Sequence, residues 1–561
     1  MTIKELLAQA VQQRPEAVAI RFKKHDQWNT ISYNKLMESA QRVSEALAQL
    51  GIKRGDRVAI FRENSPEWAE IYFGIVGLAA TAVPIDAKLQ EQEVAHILRD
   101  SGARALFAGV KEYPLLAEIE PRLPALAHIL LIDGHRIQPG PSRKAKYWDY
   151  EDTLQETSET AQSECRAYDK QQPNDDDIAS FIYTSGTTGR QKGAMLTHLN
   201  FTADVESMVK AIRIYPEDNF MLVLPLHHAF AFTTNLLVPL RACAQISLVE
   251  NLKTIGENIR EVSPTILIGV PLLLEKMYNR MWTGLKDNKL AYFLYKMNLR
   301  APVVRGIRNK MGGSLRMLIS GGAPCDSDLL VNLERLGLPI LEGYGLTEAA
   351  PVLTLNPQEA PRPGTVGKPL PNIEIKIMDP NDEGIGEIAA QGANIMKGYF
   401  NNPEATASAL HDGWLLTGDL GKIEPDGYLI ITGRKKSLIV NREGKNIYPE
   451  EVEHQICKSL YVREALVVGY REDSEKVGEY VGIIVVPNQE AIDAVHKKHD
   501  LPLSEPEIAD LIRKEIKRLS AEIAEYKRPR RIKIRWEEFA KTSTGKVKRY
   551  LYVMGDREEG C

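Results

Sequence analysis

The sequence predicts an α/β protein: a large N-terminal domain of mostly parallel sheets flanked by helices, a β-rich subdomain, and a small α/β C-terminal domain. Three observations carry this. Short apolar runs alternate with helical patterns over the first 350 residues, the signature of parallel strands covered by helices on both faces. From about residue 362 the texture turns to Gly, Pro and Asn between short strands. After about 434–437 a new, compact strand–helix unit begins. The boundaries read as 1–434 for the N-terminal domain, with its β-rich part at 362–434, and 437–561 for the C-terminal domain.

Taken in order, MTIKELLAQAVQQ reads as an amphipathic helix with Thr2 and Glu5 as a capping box, and it has no apolar core of the signal-peptide kind. Leu36, Ala40, Val43, Leu47 and Leu50 recur at helical spacing and Gly51 stops the helix. The longest apolar run, 71–85, is shorter than the roughly 20 residues of a membrane span and reads as a buried helix running into a strand. Strands follow at 57–61, 80–85, 220–225, 266–270, 315–320 and 338–344, with 373–378, 386–391 and 428–433 in the β-rich part. Strands at 465–470, 480–487 and 531–536 and a helix at 507–525 make up the last unit. The polar tract 153–177 reads as a surface loop.

The composition is that of a soluble globular protein, 43% hydrophobic and 26% charged. A net charge of −4 gives no global drive toward nucleic acid or membrane. Five scattered cysteines without a CxxC pair argue against a disulfide framework or zinc ribbon, and fit a reducing cytosol.

One stretch stands out: 183-YTSGTTGRQKG-193 leaves an apolar strand as a loop of glycines and hydroxyls closed by a lysine. Backbone N–H groups, hydroxyls and a cation around one centre make a phosphate cradle. The P-loop spacing fails, because the four residues after Gly186 lead to Gln191 rather than Gly, and Gly193 follows Lys192 where Ser or Thr is needed. A P-loop ATPase is thereby excluded. His227 and His228 are neighbours; on a strand they would face opposite sides, and no nearby Cys or HxxxH pattern supplies further zinc ligands.

Six segments then occur in a fixed order: 183-YTSGTTGRQKG-193, 224-LPLHHAF-230, 343-GYGLTE-348, 417-TGD-419, 433-GRKKSLIVNREGKNIYPEEVE-453 and 541-KTSTGK-546. Together they resemble the adenylate-forming superfamily of acyl-CoA synthetases, adenylation domains and luciferases, over essentially the whole chain. The segment 268-IGVPLLLEKMYNRM-281 and the helical stretch 289–311 resemble long-chain fatty acyl-CoA synthetases in particular.

The resemblance implies a mobile C-terminal domain and two steps, in which a carboxylate displaces pyrophosphate from ATP and a thiol then displaces AMP. It implies that Thr184, Ser185, Gly186, Thr187, Thr188, Gly189 and Lys192 hold phosphates. Gly322, Ala323 and Pro324 with Glu342, Gly343, Tyr344 and Gly345 frame the adenine, Tyr344 by stacking. Thr347 meets the α-phosphate and Glu348 ligates Mg2+, as a hard cation favours carboxylate oxygen. Asp419 and Arg434 hold the ribose. Lys546 contacts carboxylate and α-phosphate, although Ala540 stands where the family often has Pro. Lys436 marks a hinge near 435–437, and Gly444 and Lys445 meet CoA. His228 gates the site or orients the acid's carboxylate, and Phe230, Val270 and Gly321 line its chain.

The implied acid is a medium- to long-chain fatty acid, because each buried methylene contributes about 0.8 kcal/mol and an apolar tunnel selects length. An aromatic acid is the alternative substrate. Residues 526–550 carry ten Lys or Arg against two acids, a solvated edge strand or a docking face for CoA phosphates, an acidic carrier protein or anionic lipid. CoA is the acceptor the resemblance implies, and acyl carrier protein is the alternative because 345-GLTEAAPVLTLNP-357 also resembles acyl-carrier-protein synthetases. Peripheral contact with the inner membrane surface, and a monomer or homodimer, stay open. A catalytically dead binding module would have lost Glu348, Asp419 or Lys546; all three are present.

Overall fold

The computed structural model describes residues 1–134, 144–160, 167–185, 191–471, 478–496, 503–541 and 547–554. The chain forms two compact units. The first holds the described residues up to Ile375 together with Ala390–Leu415, and the second holds Lys376–Ala389 and the described residues from Leu416 on.

Two large sheets organise the first unit. A nine-stranded sheet runs in the order Lys368–Pro369, Val352–Leu355, Ile340–Gly345, Met317–Ser320, Ile266–Gly269, Asn219–Leu222, Gln245–Leu248, Val18–Lys24 and Gln27–Ser32. The six strands from Ile340–Gly345 to Val18–Lys24 pair parallel. An eight-stranded sheet runs Gly398–Tyr399, Gln191–Thr197, Ile178–Ser185, Thr81–Ile85, Arg57–Phe61, Ala105–Gly109, His128–Ile132 and Lys146–Asp149. Its last six strands are also parallel. The inner parallel strands are buried along nearly their whole length, as helices on both faces require, while Val18–Lys24 and Lys146–Asp149 are only partly buried.

Local chemistry starts the helices where the sequence signals them. Thr2 accepts from the Glu5 N–H while Glu5 accepts from the Thr2 N–H, completing the predicted capping box of Ile3–Gln13. Ser32 accepts from the Lys35 N–H to cap Tyr33–Gln49, and Ser65 from the Trp68 N–H to cap Pro66–Gly77, which has Pro at its first position. These two helices cross closely: a Cβ on Gly74 would lie 2.5 Å from Val43, so only glycine fits there. Behind them Trp68 stacks on Tyr72, and Tyr72 meets Phe232 at 4.3 Å between ring centroids.

The tract 153–177 departs from the loop reading. Tyr150–Thr160 and Ala167–Lys170 are helical. The Asp149 side chain accepts from the Asp152 N–H at the start of the first, and Tyr150, Leu154 and Tyr168 are buried. Three apolar anchors in a polar tract suffice to pin these helical turns to the fold, and a composition-based reading averages them away.

In the second unit, Val462–Tyr470, Tyr480–Pro487 and Arg531–Ile534 form a sheet, antiparallel and then parallel. Helices Pro449–Cys457 and Glu505–Ser520 bury Val452, Ile456, Ile508, Ile512 and Ile516 against it. The edge strand stops at Ile534; Trp536 lies beyond it and is exposed. Strands also form at Ile373–Met378, Gly386–Gly392 and Leu429–Arg434, as expected of the β-rich region. Cys243, Cys325 and Cys457 form no disulfide among the described residues. No helix among them is long and apolar enough to cross a membrane.

One buried ion pair ties the starts of three parallel strands together. Asp218 accepts from the Arg316 guanidinium, the Thr265 hydroxyl at 2.7 Å and the Tyr215 N–H at 2.7 Å, with its own side chain only 4% exposed. Asp218→Ala leaves Arg316 unpaired and is expected to lower unfolding free energy by about 3 kcal/mol in urea titrations, with little change in the denaturant slope.

Candidate active site

Three adjacent parallel strands end at one place. Gly269 pairs with Ser320, and Ser320 pairs with Glu342. The residues that follow these ends, Val270 and Gly321–Cys325, are therefore held side by side at the carboxyl edge of the sheet, where such folds bind ligands. The Gly321 N–H donates to the Gly269 carbonyl at 3.2 Å. A Cβ on Gly321 would lie 2.7 Å from the tip of the Phe230 ring, and one on Gly322 would touch Val270 and Phe230 at 3.7 and 3.9 Å. Phe230, Val270, Gly321 and Gly322, chosen from separate parts of the sequence, thus meet around one point.

Glu342 lies beneath this loop. Its carboxylate accepts from the Cys325 N–H at 3.2 Å, and burial pushes it up to about 7. Burial first, then the Glu342 charge, pushes the Cys325 thiol up to about 12, so it is held as the unreactive thiol. Gly343, Tyr344 and Gly345 continue the strand, where Tyr344 is buried and pairs with Thr354.

Thr347 and Glu348 follow on a short 3-10 turn. The turn is braced from three sides. Asn394 donates to the Ala349 carbonyl at 2.7 Å, Thr233 donates to that of Ala350 at 2.9 Å, and buried Asp204 accepts from the Val352 N–H at 3.2 Å. Glu348 itself accepts from the Tyr399 hydroxyl at 2.7 Å. Burial and the Glu348 charge raise Tyr399, so the phenol keeps its proton and stays a donor. The Lys192 ammonium stands over the same ring, 5.4 Å from its centroid. Tyr399 pairs with Ala194, and the Phe400 N–H donates to the Gly193 carbonyl.

The hairpin Ile178–Ser185/Gln191–Thr197 is therefore fastened beside Glu348 through Tyr399. Thr184 pairs with Lys192 at its end. The tip, with Gly186, Thr187, Thr188 and Gly189, lies outside the described residues, as does Lys546 with the rest of 542–546. Tyr399 was not singled out from sequence, because only the pairing of two distant strands brings its hydroxyl to Glu348. The Glu348 carboxylate fits a magnesium ion chemically, since Tyr399 engages Oε1 and Oε2 is a hard oxygen donor.

The two histidines correct a sequence expectation. The strand ends at Leu222, so alternation does not apply to them. Their rings lie 4.0 Å apart with the two Nε2 atoms at 3.0 Å. Asp86, distant in sequence, brings Oδ2 to 3.5 Å from His227 Nε2, giving three donors within 4.8 Å. A donor set of two imidazoles and one carboxylate suits a softer ion than magnesium. A proton shared between the two Nε2 atoms accounts for their separation. Burial, then the neighbouring His228, holds His227 well below the ordinary imidazole range, and thus neutral.

In the second unit Asp419 and Arg434 come together as the sequence suggested. They are partners across an antiparallel pair, and Arg434 Nε donates to Asp419 Oδ1 at 2.9 Å. Asp419 is 4% exposed. Lys436 sits in the 3-10 turn Lys435–Ser437. Gly444 holds a positive φ of 76° in the exposed turn between Ile439–Val440 and Asn446–Ile447, and nothing lies within 4 Å of where its Cβ would be. Lys445 beside it pairs with Glu443.

With this geometry in hand, the family is plain. Residues 7–400 match the AMP-binding enzyme family and residues 451–546 match the AMP-binding enzyme C-terminal domain. The chain belongs to that family, and its class is the AMP-forming acid–CoA ligases, which use ATP, magnesium and CoA.

It is similar to a long-chain-fatty-acid–CoA ligase of Mycobacterium bovis, 30% identical over 83% of this chain and 78% of that one. The ATP-bound MatB of Rhodopseudomonas palustris is similar in structure, with a TM-score of 0.77, 26% identity and 98% of each chain covered. So is the O-succinylbenzoate coenzyme A synthetase of Bacillus subtilis in complex with ATP and magnesium, with a TM-score of 0.74, 25% identity, and 97% of this chain and 98% of that one covered.

Tyr399→Phe removes one hydrogen bond to a charged carboxylate. A loss of about 1.5 kcal/mol, near tenfold in kcat/KM for MgATP, is expected in steady-state assays. Glu342 tests the buried carboxyl. A group raised from 4.5 to about 7 contributes stability that is present below 4.5 and is lost as pH rises through about 7. Relative to Glu342→Gln, wild-type unfolding free energy is therefore expected to fall by about 3 kcal/mol across that window, read by denaturant titration at each pH.

Proposed function

We propose that the protein activates a medium- to long-chain fatty acid with ATP and passes the acyl group to CoA. In the first step a carboxylate oxygen bonds to the α-phosphorus and pyrophosphate leaves, giving the acyl-AMP. In the second, the CoA thiol, having lost its proton, bonds to the acyl carbon and AMP leaves with the electron pair of the broken C–O bond. The observation that carries the fatty-acid assignment is the meeting of Phe230, Val270 and Gly321 at the strand ends beside Glu342. These side chains offer no group that pairs with a polar acyl substituent. The similarity to a long-chain-fatty-acid–CoA ligase points the same way.

In this reading the carboxylate faces His228, whose ring is held by neutral His227. Glu348, oriented by Tyr399, would hold magnesium, which when bound would supply positive charge to offset that of the phosphates. Lys192 and the hydroxyls of Thr184, Ser185, Thr187 and Thr188 hold the β- and γ-phosphates, and Thr347 the α-phosphate. Asp419 and Arg434 take the ribose. Lys546 contacts the carboxylate and α-phosphate in the first step. The lysine then has to clear the way for the thiol, so the small domain, residues 437–561, turns on a hinge at 435–437 that includes Lys436 and brings Gly444 and Lys445 to CoA.

AMP formation measured over straight-chain acids from C2 to C18 and over aromatic acids, with and without CoA, tests this. CoA-dependent AMP peaking between C8 and C18 is expected, with Lys546→Ala slowed by at least a hundredfold. Gly321→Val, which drives the Phe230 ring out of its place, is expected to shorten the preferred chain. A peak on aromatic acids, as for the O-succinylbenzoate relative, would overturn the fatty-acid assignment. Turnover with acyl carrier protein in place of CoA would overturn the acceptor.

A further inference from the structure

We propose that Asp86, His227 and His228 bind a divalent transition-metal ion of the zinc class, and that the bound ion blocks activation of the acid. Strand ends from the two large sheets bring the three side chains together. Asp86 directly follows Thr81–Ile85 in one sheet, and the histidines follow Asn219–Leu222 in the other. Asn64, just beyond Arg57–Phe61, ties the histidine loop to the first of these sheets: it donates to the Leu224 carbonyl at 2.9 Å and accepts from the Leu226 N–H at 2.8 Å. The His228 carbonyl accepts from the Phe232 N–H at 3.0 Å, where a short helix begins. The frame of the site is thus set by the fold and needs no ion to form.

Spacing and donor chemistry point to the ion. In a tetrahedral zinc site, bonds of the usual length to nitrogen and oxygen put neighbouring ligand atoms about 3.3 Å apart. His227 Nε2 lies 3.0 Å from His228 Nε2 and 3.5 Å from Asp86 Oδ2, and the three atoms all lie within 4.8 Å of one another. Asp86 is 7% exposed, and its Oδ2 accepts no hydrogen bond among the described residues. A buried carboxylate oxygen in that position calls for a positive partner. Its other oxygen accepts from the Lys88 N–H at 2.9 Å, which aims Oδ2 at the imidazoles. His227 is held neutral, the form in which an imidazole ligates. On binding, the proton between the two Nε2 atoms passes to the Nδ1 of its own ring, and none is lost. Beyond burial and the neighbouring His228, the Lys88 charge also acts on His227. It opposes an ion held by charge alone and leaves the advantage to one held by imidazole nitrogen.

The effect on catalysis rests on the reading that the acid's carboxylate faces His228. Three protein ligands leave a fourth tetrahedral position open. A carboxylate oxygen that takes it shares its electron pair with the metal rather than with the α-phosphorus, and His228 Nε2 is no longer there to orient it. No covalent bond changes, so removing the ion restores the enzyme.

The test is calorimetric titration of the chelator-treated full chain with zinc sulfate in excess magnesium, without acid, ATP or CoA. Wild type is compared with Asp86→Asn and Asp86→Cys, and circular dichroism checks that each folds. Asparagine keeps an acceptor for the Lys88 N–H and removes the anionic ligand, whereas cysteine returns one that zinc favours. Wild type is expected to bind zinc at least about tenfold more tightly than Asp86→Asn, with Asp86→Cys recovering the loss. Zinc is also expected to slow acid-dependent AMP formation in wild type at concentrations at least about tenfold below those that slow Asp86→Asn. Capture of ATP or CoA by zinc is common to both proteins and cancels in that comparison. No zinc binding, or equal binding by wild type and Asp86→Asn, would overturn the site. Inhibition of both proteins at the same zinc concentration would overturn the block. The titration uses no substrate, so its result is independent of which acid the enzyme activates.

Discussion

The lateral pairing of three parallel strands is the constraint from which the site follows. Gly269, Ser320 and Glu342 are fixed in line by backbone hydrogen bonds that no side chain can shift. Everything that must converge on the acid and the nucleotide hangs from that line: Val270 one residue beyond the first strand, the Gly321–Cys325 loop beyond the second, and the third strand's own continuation through Tyr344 to the Thr347–Glu348 turn. The ladder places the Gly321 backbone so that a Cβ there would lie 2.7 Å from the tip of the Phe230 ring, and a larger residue has to move that ring. Precision is inherited from the sheet, and the loops only extend it.

A second constraint is electrostatic. A reaction between a carboxylate and a triphosphate needs positive charge and donors already in place, while buried carboxylates must be kept from adding to the repulsion. The structure treats its acids differently. Burial pushes Glu342 up to about 7, close to the expected nucleotide site, so its charge is held back below neutrality. Glu348 is only half-buried, accepts a hydrogen bond from a phenol that cannot itself ionise, and keeps an oxygen for a cation. Asp419 is buried and paired with Arg434. Each carboxylate is thus matched to a different task by its surroundings alone.

Much of this was legible in the sequence, and the legible parts share a cause. Apolar strands at 266–270, 315–320 and 338–344 could be read because parallel strands buried on both faces leave continuous apolar runs. The pairs Asp419–Arg434 and Phe230–Gly321 were reachable because each residue sits in a recurring motif. What could not be read arises from contacts between distant segments. Tyr399 gains its place only through the pairing of Gly398–Tyr399 with Gln191–Thr197. Asp86 joins His227 across more than a hundred residues. The helices in 150–170 depend on three apolar anchors whose partners lie elsewhere in the fold.

The central claim is that an acyl-adenylate forms on this protein before any thiol is involved. Exchange of labelled pyrophosphate into ATP measures that step alone. The account predicts exchange that requires both magnesium and a long-chain acid and proceeds without CoA. Exchange that is absent with every acid, or that runs without any acid, would contradict it.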